Sequence, residues 1–252
     1  MRHFFKSDVI WLDTIDSTNE EIKRQIKSFN KTTWMIAKHQ TNGKGRNGSS
    51  WISNNGNFSG SVIFFPVLQR FHLHLYGFFF GVALYDTIKK IVKDGVDIRL
   101  KWPNDLIIEN YKVGGILLES IQAPCSGKRG LIVGIGINLN SSPILKENSN
   151  KQYDTQCVAS FTNDKIDLKK FFRDFCYQLN KLESNVQEKK LSSILSVWQT
   201  RSYDKGTMIQ ISDNKRKVKR GTFLGLDELG GLIVGENSGV KKIYSGDVYF
   251  GS

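Results

Sequence analysis

The chain has 252 residues, 39% hydrophobic and 12% aromatic, enough for one large domain or a medium domain with a small companion, and too apolar for a wholly disordered chain. Lys and Arg outnumber Asp and Glu by 36 to 24, a net charge of +12, which suits a polyphosphate, an acidic protein or nucleic acid as well as plain solubility. Cys125, Cys157 and Cys176 form no CxxC pair, which argues against a zinc ribbon and a disulfide framework, and no apolar run is long enough to span a bilayer, so a soluble protein of a reducing cytoplasm is expected.

Val9-Ile10-Trp11-Leu12 reads as a short strand. Ser17-Thr18-Asn19-Glu20 has the capping-box pattern, and Ile22, Ile26 and Phe29 follow at helical spacing, so a helix over 18–29 is predicted. A strand over 33–38 precedes a Gly-, Asn- and Ser-rich loop over 39–60, and a strand over 61–65 stops at Pro66. Residues 73–93 read as a buried helix with Lys89, Lys90 and Lys93 near its C-terminal end. Strands are predicted over 97–101, 106–109, 113–121 and 131–137, with a hairpin at Asn110-Tyr111. Residues 138–167 are polar and irregular. Helices over 168–185 and 190–200 follow, the first with Leu168, Phe171, Phe172 and Phe175 on one face. From Tyr203 onward, short strands over 208–211, 218–226, 231–234 and 241–244 recur between turns and suggest a small barrel. The chain therefore divides into 1–202 and 203–252.

Residues 22–85 contain no Asp or Glu, and within them lies Gly43-Lys44-Gly45-Arg46-Asn47-Gly48. Glycines admit backbone N–H groups to phosphate oxygens, and Lys and Arg supply charge, so the loop suits a phosphate-bearing ligand; an ordinary surface loop is the plain alternative. The letters match G-x-G-x-x-G, but no helix follows and no acid appears until Asp86, so this is not a dinucleotide fingerprint. Lys38 stands where a P-loop needs its first glycine. Asp16-Ser17-Thr18-Asn19 reads as a helix cap whose hydroxyls and amide could equally bind a polar small molecule. Lys101-Trp102-Pro103-Asn104-Asp105 joins two strands through an extended or turned Trp-Pro step. Gly114 and Gly115 after Lys112, and Gly134 and Gly136 before Asn138, imply close approach to strand backbones. His72 and His74 have apolar surroundings and read as structural. There is no GxSxG, HExxH or paired-carboxylate pattern.

Taken in order, Asp16-Ser17-Thr18-Asn19, Gln40-Thr41-Asn42-Gly43-Lys44-Gly45-Arg46-Asn47-Gly48, Trp51, Lys101-Trp102-Pro103-Asn104-Asp105, Lys112-Val113-Gly114-Gly115-Ile116-Leu117 and Gly134-Ile135-Gly136-Ile137-Asn138 resemble the biotin protein ligases. The resemblance implies an α+β fold: a mixed, largely antiparallel sheet with helices mainly on one face, of the class II synthetase type, plus a C-terminal SH3-like barrel. It implies an enzyme that joins biotin to ATP as biotinyl-5′-AMP, releases pyrophosphate, and passes biotin to a lysine of a biotin carboxyl carrier domain of a carboxylase. It assigns Ser17, Thr18, Asn19, Gln40, Gly114 and Gly115 to biotin. Lys44, Gly45, Arg46, Trp51, Asn104, Asp105 and Asn138 fall to ATP or the adenylate. Lys112 bridges both ligands and, with Arg46, is the catalytic candidate. Mg²⁺ comes through the ATP phosphates, and Asn104 and Asp105 are candidates to orient those phosphates or the Mg²⁺. Lys44 stands where many relatives carry Arg, and Ser49 where several carry another Arg. The first motif begins at Asp16, which leaves no room for a helix-turn-helix, so no specific DNA binding is expected. Monomer and homodimer both stay open. The competing readings are a lipoate or octanoyl ligase and a basic nucleic-acid-binding module.

Overall fold

Alternating residues decide the two faces of the main sheet. In the computed structural model, which describes residue 4 and residues 7–66, 73–122, 129–143, 154–189, 193–212 and 218–250, the first part of the chain runs β1 (Asp8–Ile15), α1 (Thr18–Arg24), β2 (Thr33–Gln40), β3 (Gly43–Lys44), β4 (Ser50–Trp51), β5 (Phe58–Phe64), α2 (Leu75–Ile88), β6 (Ile98–Lys101), β7 (Asp105–Ile108), β8 (Tyr111–Gln122) and β9 (Arg129–Ile137). His72 and Cys125 lie outside the described residues. Seven strands form one sheet in the order β1-β2-β5-β9-β8-β7-β6, with β1 parallel to β2 and the other neighbours antiparallel. The mixed sheet is the one the resemblance implies.

Phe58, Val62 and Phe64 of β5 and Val133, Ile135 and Ile137 of β9 join the core beneath α2 and α3 (Leu168–Lys189). Phe171, Phe172, Phe175 and Leu179 repeat every three to four residues along α3, and Phe172 meets the buried Trp34 edge-on at 5.2 Å between ring centroids. Among the described residues, helix cover on the opposite face lies at one end, where Ile22 and Ile26 pack on Met35, Ile63 and Ile132. The rest of that face carries small and polar residues, and the cavity described below opens there.

Several local predictions shift. The helix expected over 18–29 ends at Arg24, and a single 3-10 turn over Ile26–Ser28 replaces its last part. The capping box does not form: Ser17 makes no side-chain cap bond, and Glu20 instead accepts from Lys23 Nζ at 2.8 Å. Asp16 takes over that end, receiving the backbone N–H of Ser17 at 2.7 Å. The bond from the Arg24 guanidinium, followed by that backbone bond, lowers the Asp16 carboxyl to about 2. The long loop expected over 39–60 contains the β3–β4 hairpin and the start of β5. Helix α2 is shorter than expected, because the turn after Lys89 folds back on Thr87 and Ile88. The β7–β8 hairpin turns at Glu109 and Asn110, both with positive φ, one residue earlier than expected.

After α3 come α4 (Ile194–Gln199), β10 (Met208–Ser212), β11 (Val218–Leu226), β12 (Leu232–Glu236), β13 (Gly239–Ile243) and β14 (Asp247–Phe250). These five strands form an antiparallel sheet in the order β13-β12-β11-β10-β14, and among the described residues its end strands are not paired with each other. In place of a closed barrel, Ile209, Phe223, Leu232, Val234, Val248 and Phe250 join the same core as Trp198 of α4. Trp102 Nε1 donates to the Gly230 carbonyl at 3.0 Å and so ties the β6–β7 turn to this sheet. His74 is exposed, in place of the apolar surroundings expected, and its ring bonds the Leu229 carbonyl. No helix among the described residues is long and apolar enough to cross a membrane.

Candidate functional site

A cavity of about 460 Å³ lies on the α1 side of the main sheet. Ser17, Thr18, Asn19, Gln40, Lys44, Gly45, Arg46, Trp51, Asn104, Asp105, Lys112, Gly115 and Asn138 all line it, although they come from segments more than a hundred residues apart. The cavity has a neutral polar end and a charged end.

The polar end is built where α1 crosses β5. Period-two alternation puts Ser61 on the α1 side of β5, between the inward Gly60 and Val62. Thr18 Oγ1 lies 2.6 Å from Ser61 Oγ and 3.0 Å from Gln40 Oε1, and the Thr18 backbone N–H donates to the same Gln40 oxygen at 2.8 Å. Ser61 donates in turn to Asn19 Oδ1. A Cβ at Gly134 would stand 2.4 Å from Asn19 Oδ1, and one at Gly136 would stand 2.3 Å from the Trp51 indole. These two glycines therefore make room for site side chains. Gly115 lines the cavity, and a Cβ there would meet Asp105 and Lys112 only at ordinary contact distance. Gly114 is not among the residues that line it: it is buried, and a Cβ there would lie 2.3 Å from Ile137 Cδ1, so its bareness serves strand packing.

The charged end centres on Asp105, at the start of β7. Its Oδ1 lies 2.7 Å from Lys112 Nζ and its Oδ2 lies 3.2 Å from Lys101 Nζ. Burial pushes this carboxyl up, but the charges of Lys112 and Lys101 and their bonds outweigh it and hold the group at about 2. Each Asp105 oxygen is engaged by one cation, and the described residues contain no group of three or more His, Cys, Asp or Glu suited to a metal. Any Mg²⁺ at this end would therefore be held chiefly by the phosphates of ATP, with Asp105 the one carboxylate of the β7–β8 hairpin that lines the cavity.

The glycine segment arches over this end as a hairpin. Gly43 pairs with Trp51 and Lys44 with Ser50, and Gly45 N–H donates to the Ser49 carbonyl at 2.7 Å. Asn47 (φ 53°) and Gly48 (φ 75°) turn the chain through left-handed backbone. Arg46 Nη1 donates to Asn104 Oδ1 at 3.2 Å and lies 3.6 Å from Asp247. Asn138 is 2% exposed, and its Oδ1 is a buried acceptor without a partner among the described residues, the kind of atom a ligand N–H or O–H satisfies.

Ser61, Lys101, Asp247 and Tyr249 also line the cavity and were not assigned from the sequence. Ser59 and Ser61, alternating in Phe58-Ser59-Gly60-Ser61-Val62, carried a readable signal of a strand with one polar face. Asp247 and Tyr249 carried none, since only the tertiary fold brings β14 to the site. There Lys101 Nζ donates to the Val248 carbonyl at 3.0 Å and sits 5.3 Å from the Tyr249 ring centroid.

Residues 11–140 match the Biotin/lipoate A/B protein ligase family, and residues 206–251 match the Biotin protein ligase C terminal domain. A biotin–acetyl-CoA-carboxylase ligase of Paracoccus denitrificans is 28% identical over 236 residues, spanning 94% of this chain and 98% of that protein. The bifunctional ligase/repressor BirA of Bacillus subtilis is 29% identical over 250 residues, 96% of this chain and 74% of that protein. A solved biotin protein ligase from Aquifex aeolicus in complex with biotin and ATP is similar at a TM-score of 0.79 and 26% identity, over 96% of this chain and 98% of that one.

Proposed function

Since the chain belongs to the Biotin/lipoate A/B protein ligase family, we propose that this ligase activates biotin with Mg·ATP and transfers it to a lysine of a biotin carboxyl carrier domain. One observation carries the reading: a neutral polar end and a cationic end share a single cavity. A ureido ring offers donors and acceptors to hydroxyls and amides, and Ser17, Thr18, Asn19 and Gln40 supply them. An acid tail and a phosphate need cations, and Lys112 and Arg46 supply them.

In the first step a carboxylate oxygen of biotin attacks the α-phosphorus of ATP and the bond to pyrophosphate breaks. Both reactants are anions, so positioning and charge neutralisation dominate, and no acid/base pair is required. Lys112 turns from Asp105 to the approaching oxygens, and Lys101 remains to neutralise Asp105. Lys44, Gly45 and Arg46 wrap the phosphates, Asn104 holds Arg46 in place, and Trp51 covers the acyl phosphate. Asn138 offers its unpaired oxygen to the nucleoside. Mg²⁺ carried by the triphosphate would supply further charge neutralisation. In the second step the carrier's lysine nitrogen attacks the acyl carbon and AMP leaves.

The division at residue 202 is part of this proposal, with the small sheet completing the charged end through Asp247 and Tyr249. The test is incubation with biotin, Mg·ATP and a carrier domain, followed by mass measurement of the carrier. Gain of one biotinyl group is expected. Lipoyl transfer in its place, with biotin inert, would reject the reading.

A further inference from the structure

Biotin's place at the polar end, as proposed above, leaves open what fixes the direction of the hydrogen bonds there. Hydroxyls can donate or accept, and a carboxamide can present either of its two ends. Thr18, Ser61 and Asn19 could therefore point their protons either way and offer a ligand two opposite patterns. We propose that Glu119, outside the cavity on β8, is the positioning residue that selects one pattern, acting through Asn19.

The geometry is a relay. Glu119 Oε2 accepts from Asn19 Nδ2 at 2.7 Å, and its Oε1 accepts from Lys23 Nζ at 2.7 Å. Lys23 is also held by Glu20 at 2.8 Å, so the groups facing Glu119 are one amide and one ammonium. A carboxylate bonded to an ammonium has no proton to give, so Asn19 must turn its NH₂ toward it and its oxygen toward Ser61. Ser61 must then donate to Asn19, which leaves its own oxygen as an acceptor, with the single Thr18 hydroxyl proton shared between that oxygen and Gln40 Oε1. At the far end Gln40 Oε1 takes the Thr18 backbone N–H, and the Gln40 amide nitrogen is left to donate. The result is a one-way chain ending on a charge, which leaves hydroxyl lone pairs for the ligand's N–H groups. Gly134 lets the Asn19 carboxamide lie against β9, where a side chain would displace it. Glu119 falls in register with Ile132, two pairs along from the Leu117–Gly134 pair and so on the same face of the sheet.

The experiment is biotin titration by calorimetry, with steady-state kinetics and thermal denaturation, on the full chain. Glu119→Gln lets either end of its amide face Asn19 and removes the bias. We expect biotin affinity to fall about 10- to 100-fold, the worth of a charged hydrogen bond, with KM for ATP, kcat at saturating biotin and Tm unchanged. Asn19→Asp sets two carboxylates against each other and should lose at least as much. The double variant Glu119→Gln/Asn19→Asp should recover affinity relative to Asn19→Asp, because the introduced amide donates to the introduced carboxylate, which still accepts from Ser61. Wild-type biotin affinity in Glu119→Gln overturns the proposal. So does parallel loss of Tm, ATP and biotin affinity without recovery in the double variant, which marks a mere clamp between α1 and β8. A wild-type chain that does not bind biotin sinks the functional reading itself, and this proposal with it.

Discussion

Lys112 is an ammonium with a partner already in place, and its departure from Asp105 is tolerable because Lys101 stays behind. Replacing Lys112 with Ala should therefore spare biotin binding and slow adenylate formation by about 100- to 1000-fold, the usual cost of losing one preorganised group at a developing charge. ATP–pyrophosphate exchange measures it, and an unchanged rate would refute the bridging role. Arg46→Ala should loosen biotinyl-AMP more than biotin, because its guanidinium sits at the charged end; equal losses in calorimetry would count against that. Asp105 makes a claim about acid. Its folded carboxyl lies near 2, below the roughly 3.9 of an unfolded chain, so its stabilisation is complete above that higher value and drains away as pH falls toward about 2. Urea unfolding should lose about 2 kcal/mol from this group across that window, and Asp105→Asn should remove that part of the slope. The residues at this scale were legible because unusual chemistry sat in compact words, such as Lys101-Trp102-Pro103-Asn104-Asp105. Ser61 and Lys101 went unassigned, since their partners, Asn19 and Val248, are far away in the chain.

Among the elements, long runs of β-branched and aromatic residues were readable, as β5, β8 and β9 show, and so was α3 from the spacing of its phenylalanines. What escaped was too short to have a period. The β3 and β4 strands contribute two residues each, and β14 only four, so pairing alone makes them strands. The hairpin they replace a loop with is held by few apolar contacts, with Lys44, Asn47, Gly48, Ser49 and Ser50 all exposed. Such a segment opens at low cost and should close on ligand. Limited trypsin digestion should cut at Lys44 or Arg46 in the free protein and be suppressed by biotin plus ATP. Equal cleavage with and without the ligands would contradict closure.

Across the molecule, the change of texture at Tyr203 was visible in the sequence, but the merging of the two sheets into one core was not. Trp198, Phe223 and Phe250 belong to the same cluster as Phe80 and Val133, and no spacing rule announces contacts over such separations. One core predicts one calorimetric transition for the ligand-free chain; two resolved peaks would show that the sheets melt apart. Lys101 adds a mechanical corollary. One ammonium grips a carbonyl of the small sheet and cancels a buried charge in the larger one. Tilting β14 away would strip that ammonium of one partner and leave it to Asp105, shifting the balance of charge at the cavity floor. Force applied to the outer sheet, by a docking protein for instance, would thus arrive at the reaction centre as a change of voltage.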